Sequence, residues 1–373
     1  MKYKKTVTVT VTLLLAVFFA VRAFASSGDI DSYMQGFSTD ELLGGISDEA
    51  AALLREAGIT ELSADAMFSV SAAKIFDVLF GLFGEKLPTV LSYALSVSGV
   101  CILSGTLGLT GRRESLINIC ASSVCALISA PGILSVVSEC FSVLEALSAF
   151  SVGFAGVFCA ALSAAGGTAA AASFAALHVF YESGVSFLCS AAAQPFADSL
   201  CSLAFLSALD IRTVSQKTAQ FIKKTYILLL GFAGAVFTGI FSIKNLMAQS
   251  TDGLAFRGVK FIVGKSVPIV GGALSENFES VIASLALIKN TVGVFGIITV
   301  ALTVAPTVIS VLMWLIALNG TSLISDLLGC EKITSVLSVF SDALSLLLAT
   351  VIFSACVFTV CVGVVISFGG GVH

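Results

Sequence analysis

The chain has 373 residues and two histidines, and His373 is the last residue. His178 stands in the apolar run "AASFAALHVFYESGVSFL", four residues before Glu182. On a helix that spacing puts both side chains on one face. Ionisable groups inside a bilayer are expensive and turn toward a bundle interior or a water path. Two readings of His178 and Glu182 follow, a proton relay or a hydrogen-bonded polar helix contact, and the spacing alone fits both. A second polar interruption is Lys289-Asn290 in "SLALIKNTVGVFGIITV". Asp198, shortly after Pro195, and Asp342, at the head of the last apolar run, read as interface markers.

No catalytic constellation accompanies these residues. The phosphate-binding G-x-x-x-x-G-K-[ST], the zinc-binding H-E-x-x-H and the G-x-S-x-G nucleophile elbow are all missing. The ten cysteines contain no C-x-x-C and lie mostly in apolar runs, where free cysteine behaves as a small hydrophobe. The expectation is no enzyme, no metal and no cofactor. With formal charge −4 and one short basic loop, nucleic acid is not an expected partner. The loop suits anionic lipid instead.

The elements carrying these residues belong to a membrane. Hydrophobic residues make up 57% of the chain and charged ones 11%, with a mean hydropathy of +1.05. Soluble domains are typically about 45–50% apolar and about 25% charged. The apolar runs are continuous rather than alternating, which points to helices and not to a barrel. The fold class expected is all-α, a polytopic transmembrane helical bundle with an N-terminal signal peptide and a short extracytoplasmic helical segment.

Residues 1–25 read as the signal peptide. Lys2, Lys4 and Lys5 precede the apolar stretch Val7–Val21, and Ala23-Phe24-Ala25 fits an A-x-A cleavage site. Residues 26–86 hold eleven acidic residues against Arg55, Lys74 and Lys86. From Ala64 on, Met67, Ser71, Ile75, Val78, Leu79 and Leu82 share one helical face, an amphipathic pattern. Residues 87–373 form the multispan domain of seven or eight helices. Its candidate spans are Pro88–Leu109, Leu116–Ser138, Leu147–Ala165, Ala169–Ser190, Ala191–Leu209, Thr225–Ile243, Thr291–Ala317 and Ala343–Phe368. With the mature N-terminus outside, Arg112-Arg113 and the loop with Arg212, Lys217, Lys223 and Lys224 fall inside, and a loop with Glu139 and Glu145 falls outside. Lys244, Arg257, Lys260 and Lys265 then break the positive-inside rule.

The segment near 258–296 breaks helical rules as well. Pro268 removes a backbone donor, Gly271-Gly272 weakens helix, and Ser275 with Glu276 and Glu279 suits a fresh helical start. Non-helical backbone at membrane depth has to be buried in protein or line water. A broken or re-entrant segment is therefore expected, with Pro268, Gly271, Gly272, Lys289, Asn290, Gly293 and Gly296 as candidate path-lining residues. A surface elbow with Lys289 snorkelling to the headgroups is the competing reading.

The same stretch, "GVKFIVGKSVPIVGGALSENFESVIASLALIKNTVGVFGIITVA" from Gly258 to Ala301, resembles the most characteristic part of the stage III sporulation protein AE family of endospore-forming bacteria. The signal peptide, the acidic external segment, the length and the hydrophobic tail are also similar to that family. The resemblance implies a multispan member of an eight-protein set in the mother-cell membrane around the engulfed forespore. That set, with a forespore membrane partner, would form a channel or secretion-like complex. The complex would support forespore maintenance and late forespore gene expression through sigma factor G. The resemblance brings no active-site residue with it. The expected partners are the other membrane subunits, the forespore partner and the lipid bilayer, and a homo-oligomer is compatible with this reading. The alternative is a self-contained secondary transporter with a broken-helix substrate site, for which the sequence offers one broken segment and no matching half.

Overall fold

The computed structural model describes residues 51–53, 55, 72–108, 114–164, 168–209, 217–240 and 271–368, with the side chains of 72–76, 78–79, 108, 114–115, 190, 271–290, 364 and 366–368 left undescribed. Residues 1–25, expected to be a signal peptide, most of residues 26–86 and Pro268 lie outside the described residues. The helices are α1 (Ala72–Gly108), α2 (Glu114–Ala164), α3 (Thr168–Phe187), α4 (Gln194–Ala208), α5 (Lys217–Ile240), α6 (Gly271–Leu327) and α7 (Glu331–Phe368). A π-helical turn, Leu188–Ala193, joins α3 to α4 without interruption. Pro195 follows it. A proline in a helix lacks an N–H and crowds the carbonyl four residues back, and a widened turn there accommodates that crowding. Five of the helices are long and apolar enough to cross a membrane, and no strand occurs among the described residues.

The packing follows from how apolar each helix is around its circumference. A helix that is hydrophobic on all sides is buried, and α6 is the most enclosed of the five candidate spans, whereas α5 is the least. Helix α6 packs on α1, α2 and α7, and α7 packs on α2, α3 and α4 as well. Helix α5 reaches α3 through Phe180–Phe237 and α4 through Phe196–Tyr226. Aromatic rings fill the junction of α2, α3 and α7. Phe154 lies 5.4 Å from Phe358 and 5.2 Å from Phe158, which meets Phe174 edge-on at 4.7 Å. Hydroxyls are hidden by bonding back one turn, as in Ser129 to the Cys125 carbonyl and Thr303 to the Thr299 carbonyl. Others clasp neighbouring helices: Tyr93 with Ser129 at 3.0 Å, Tyr181 with Ser354 at 3.1 Å, and Tyr226 with Thr350 at 2.6 Å.

Besides the join of the expected spans Ala169–Ser190 and Ala191–Leu209 through the π-helical turn, the boundaries differ from those expected in three places. The spans Leu116–Ser138 and Leu147–Ala165 are one helix, because the segment with Glu139 and Glu145 is helical and not a loop. Two carboxylates in an apolar run suggest a wet loop, but Glu139 has a lysine partner inside the bundle. The expected interval between Ala317 and Ala343 shrinks to residues 328–330. There the Gly329 N–H bonds the Asp326 carbonyl at 3.1 Å and the Cys330 N–H bonds the Ser325 carbonyl at 2.9 Å. These are the paired bonds of a Schellman stop, and Gly329 supplies the left-handed φ of +72° it needs. The Cys330 side chain in this turn points back toward the Cys101 carbonyl, and burial pushes its thiol pKa up. Finally, the backbone is already helical at Gly271 and stays so past Ser275, Lys289, Asn290, Gly293 and Gly296 to Leu327. No fresh start occurs at Ser275, and neither glycine breaks the helix. The part of the expected break between 258 and 270 lies outside the described residues.

Candidate functional site

Three carboxylates inside the bundle are neutralised in different ways. Helix α2 brings Glu139 against Lys86 of α1, whose Nζ donates to Oε1 at 2.7 Å, while Ser310 Oγ of α6 donates to Oε2 at 3.0 Å. Helix α7 brings Asp342 against Lys223 of α5, with Nζ donating to Oδ1 at 2.6 Å. Helix α3 presents Glu182 to α2, where Ser148 Oγ donates to Oε2 at 2.5 Å and Ser151 Oγ donates to Oε1. No lysine or arginine among the described residues pairs with Glu182. Its ionisable neighbour is His178, with Nε2 3.8 Å from Oε1 and 3.3 Å from Ser151 Oγ. The His178 and Glu182 side chains are 10% and 21% exposed, so the cluster is mostly withdrawn from solvent yet not sealed.

The fold thus brings His178 and Glu182 together, one turn apart on α3 as their spacing predicts. Asp342, expected to mark an interface, is an internal ion-pair partner, and Asp198 faces outward from α4. The candidate path-lining residues lie elsewhere. Gly271, Gly272, Lys289 and Asn290 lie on the α6 backbone, and no side-chain position is described for them. Gly293 is buried. Gly296 receives the Phe154 ring so closely that an added Cβ would fall 2.4 Å from it. Sequence reading missed Lys86, Glu139, Ser148, Ser151, Lys223 and Ser310 as partners. Ser148 and Ser151, three apart and so on one helical face, carried the only local signal. The other pairings join residues 53, 119 and 171 positions apart.

Chemically, the site links an imidazole, a hydroxyl and a carboxylate through hydrogen bonds on two neighbouring helices. Among the described residues no three His, Cys, Asp or Glu side chains gather to hold a metal. All ten cysteines are free, and six are buried.

Long apolar helices packed through hydroxyl clasps and internal ion pairs define a polytopic all-α membrane protein. A family model described as stage III sporulation protein AE matches residues 113–369, and the chain belongs to that family. The stage III sporulation protein AE of Bacillus subtilis (strain 168) is 25% identical over 234 residues, which cover 61% of this chain. The aligned stretch spans 57% of that relative's own length. No solved structure matches the chain.

Proposed function

We propose that the chain is a non-enzymatic subunit of a sporulation channel or secretion-like complex. It would sit in the mother-cell membrane around the forespore, sustaining late forespore gene expression and forespore maintenance, as a conduit or export gate. Membership of the sporulation family supports the setting. One structural observation carries the subunit reading. Glu85, Glu145, Asp198 and Lys224 all face outward, and three of them lie close along their helices to members of the internal ion pairs. Glu85 adjoins Lys86, Lys224 adjoins Lys223, and Glu145 lies about 9 Å along α2 from Glu139. Charges facing acyl chains at depth are disfavoured, and such residues normally meet protein or water. Other membrane subunits, or further copies of this chain, are the natural cover.

The transporter alternative would need a pair of interrupted helices at corresponding places in two halves. Within the described residues α1, α2, α6 and α7 run unbroken, so nothing specific favours it. Deletion of the gene in its spore-forming host tests the proposal. Forespores are expected to engulf normally, then lose late gene expression and collapse, with rescue by the wild-type chain. Unimpaired sporulation would overturn it.

A further inference from the structure

We infer that the His178–Ser151–Glu182 cluster is a proton-binding site with an internal relay, distinct in kind from the two lysine-paired carboxylates. This goes beyond the subunit reading and holds or fails independently of what the assembly carries.

The comparison among the three carboxylates leads there. Glu139 and Asp342 each accept a hydrogen bond from a lysine amine. Glu182 has only a histidine, the one side chain whose ordinary pKa lies near neutrality. The pair is electrically neutral when it holds one proton, as imidazolium with carboxylate or as imidazole with carboxylic acid. Losing that proton leaves a net negative charge in a mostly buried site, whose nearest compensation is two neutral hydroxyls. Among the described residues, no other group facing it supplies a cation. Helix α2 contributes Ser148 and Ser151, with Glu145 one turn further on. Helix α3 contributes Tyr181, and α7 contributes Ser354, to which the Tyr181 hydroxyl turns.

The hydrogen bonds form a continuous wire. In the imidazolium form the His178 Nε2–H can donate to Ser151 Oγ, 3.3 Å away, and the Ser151 O–H donates to Glu182 Oε1. When the His178 N–H bond breaks, its proton joins Ser151 Oγ while the Ser151 proton passes to Oε1. Imidazolium becomes imidazole, and carboxylate becomes carboxylic acid. No oxidant, reductant or metal is involved. A sodium ion is a poorer occupant, because a hard cation wants a shell of oxygens and the imidazole nitrogen occupies one side of this cluster.

Dicyclohexylcarbodiimide adds to protonated carboxyl groups in apolar surroundings, and it provides the test on the full chain in native membranes. Mass spectrometry is expected to find Glu182 modified, with labelling falling at least about tenfold from about pH 6 to about pH 9 as the proton leaves. Glu139 and Asp342 serve as lysine-paired comparators and should stay unmodified. Ser151→Ala, which cuts the wire, should shift the pH midpoint. Infrared difference spectra give a second readout through a pH-dependent protonated-carboxyl band that Glu182→Gln removes. Either signal, with that pH dependence, supports the site. Absence of both across the range would overturn it. So would labelling blocked by sodium ions at constant pH, which would make the cluster a cation site.

Discussion

At the scale of single residues, the protein treats charge inside an apolar bundle as something to be cancelled locally. The Lys86–Glu139 pair is about a third exposed on each side, so its net worth is modest, but stranding one member is not. Lys86→Met should destabilise the detergent-solubilised protein by roughly 2 kcal/mol, below the about 3–5 kcal/mol typical of breaking a fully buried pair. Adding Glu139→Gln should restore much of that loss. Thermal unfolding of the two single variants and the double variant measures the coupling, and strictly additive losses would mean the pair is not coupled. Close packing makes a second demand. A Cβ on Gly132 would lie 2.0 Å from the Trp314 ring, which forces the indole or the helix to move. Gly132→Ala should therefore destabilise by about 1–3 kcal/mol, as overpacking does, and an unchanged melting temperature would contradict the observed fit. Neither contact was visible in the sequence. Gly132 and Trp314 are separated by about half of the chain, and only the folded bundle brings the ring against the glycine.

Elements were legible where composition alone decides, and illegible where a partner decides. Helical class, apolar spans and the shared face of His178 and Glu182 all follow from periodicity and propensity. The lengths do not. At 1.5 Å per residue α2 is about 77 Å long and α6 about 86 Å, against a hydrocarbon core of about 30 Å. Reading one span per twenty apolar residues cut both helices short. The cut in α2 fell at Glu139 and Glu145, whose polarity is real but is met by Lys86 for one and by an outward position for the other. The missing loop can be tested directly. Cysteines placed at Val143 and Leu144, both buried, in a functional cysteine-depleted background should resist a membrane-impermeant thiol reagent. Ready labelling at both would restore the loop. The α6–α7 turn was missed too, since the expected spans stopped at Ala317 and resumed at Ala343, whereas the chain turns at Gly329. Gly329→Ala should lose about 1 kcal/mol by forcing a side chain into the left-handed region, detectable as a lowered melting temperature.

At the scale of the whole molecule, the heights of the charges constrain how the bundle can sit in a membrane. Counting along α7 and α6 from their shared turn, Asp342 lies about 17 Å down and the level of Ser310 and Glu139 about 26 Å down. Ser354, beside Tyr181 and hence near Glu182, lies about 35 Å down. A hydrocarbon slab of about 30 Å placed anywhere along the roughly 57 Å of α7 encloses at least one of these carboxylates. The internal ones are matched within the chain. Glu85, Glu145, Asp198 and Lys224 have no ion-pair partner among the described residues, and that mismatch is the physical basis for treating the chain as one part of an assembly. Photo-crosslinking residues at those four positions, in the host during sporulation, test this claim most directly. The account predicts discrete protein adducts from these sites, to other membrane proteins of the sporulating cell or to a second copy of the chain, and none from the buried control Val311. Adducts to lipid alone at all four sites would contradict it, because the outward charges would then face the bilayer with no partner to meet them.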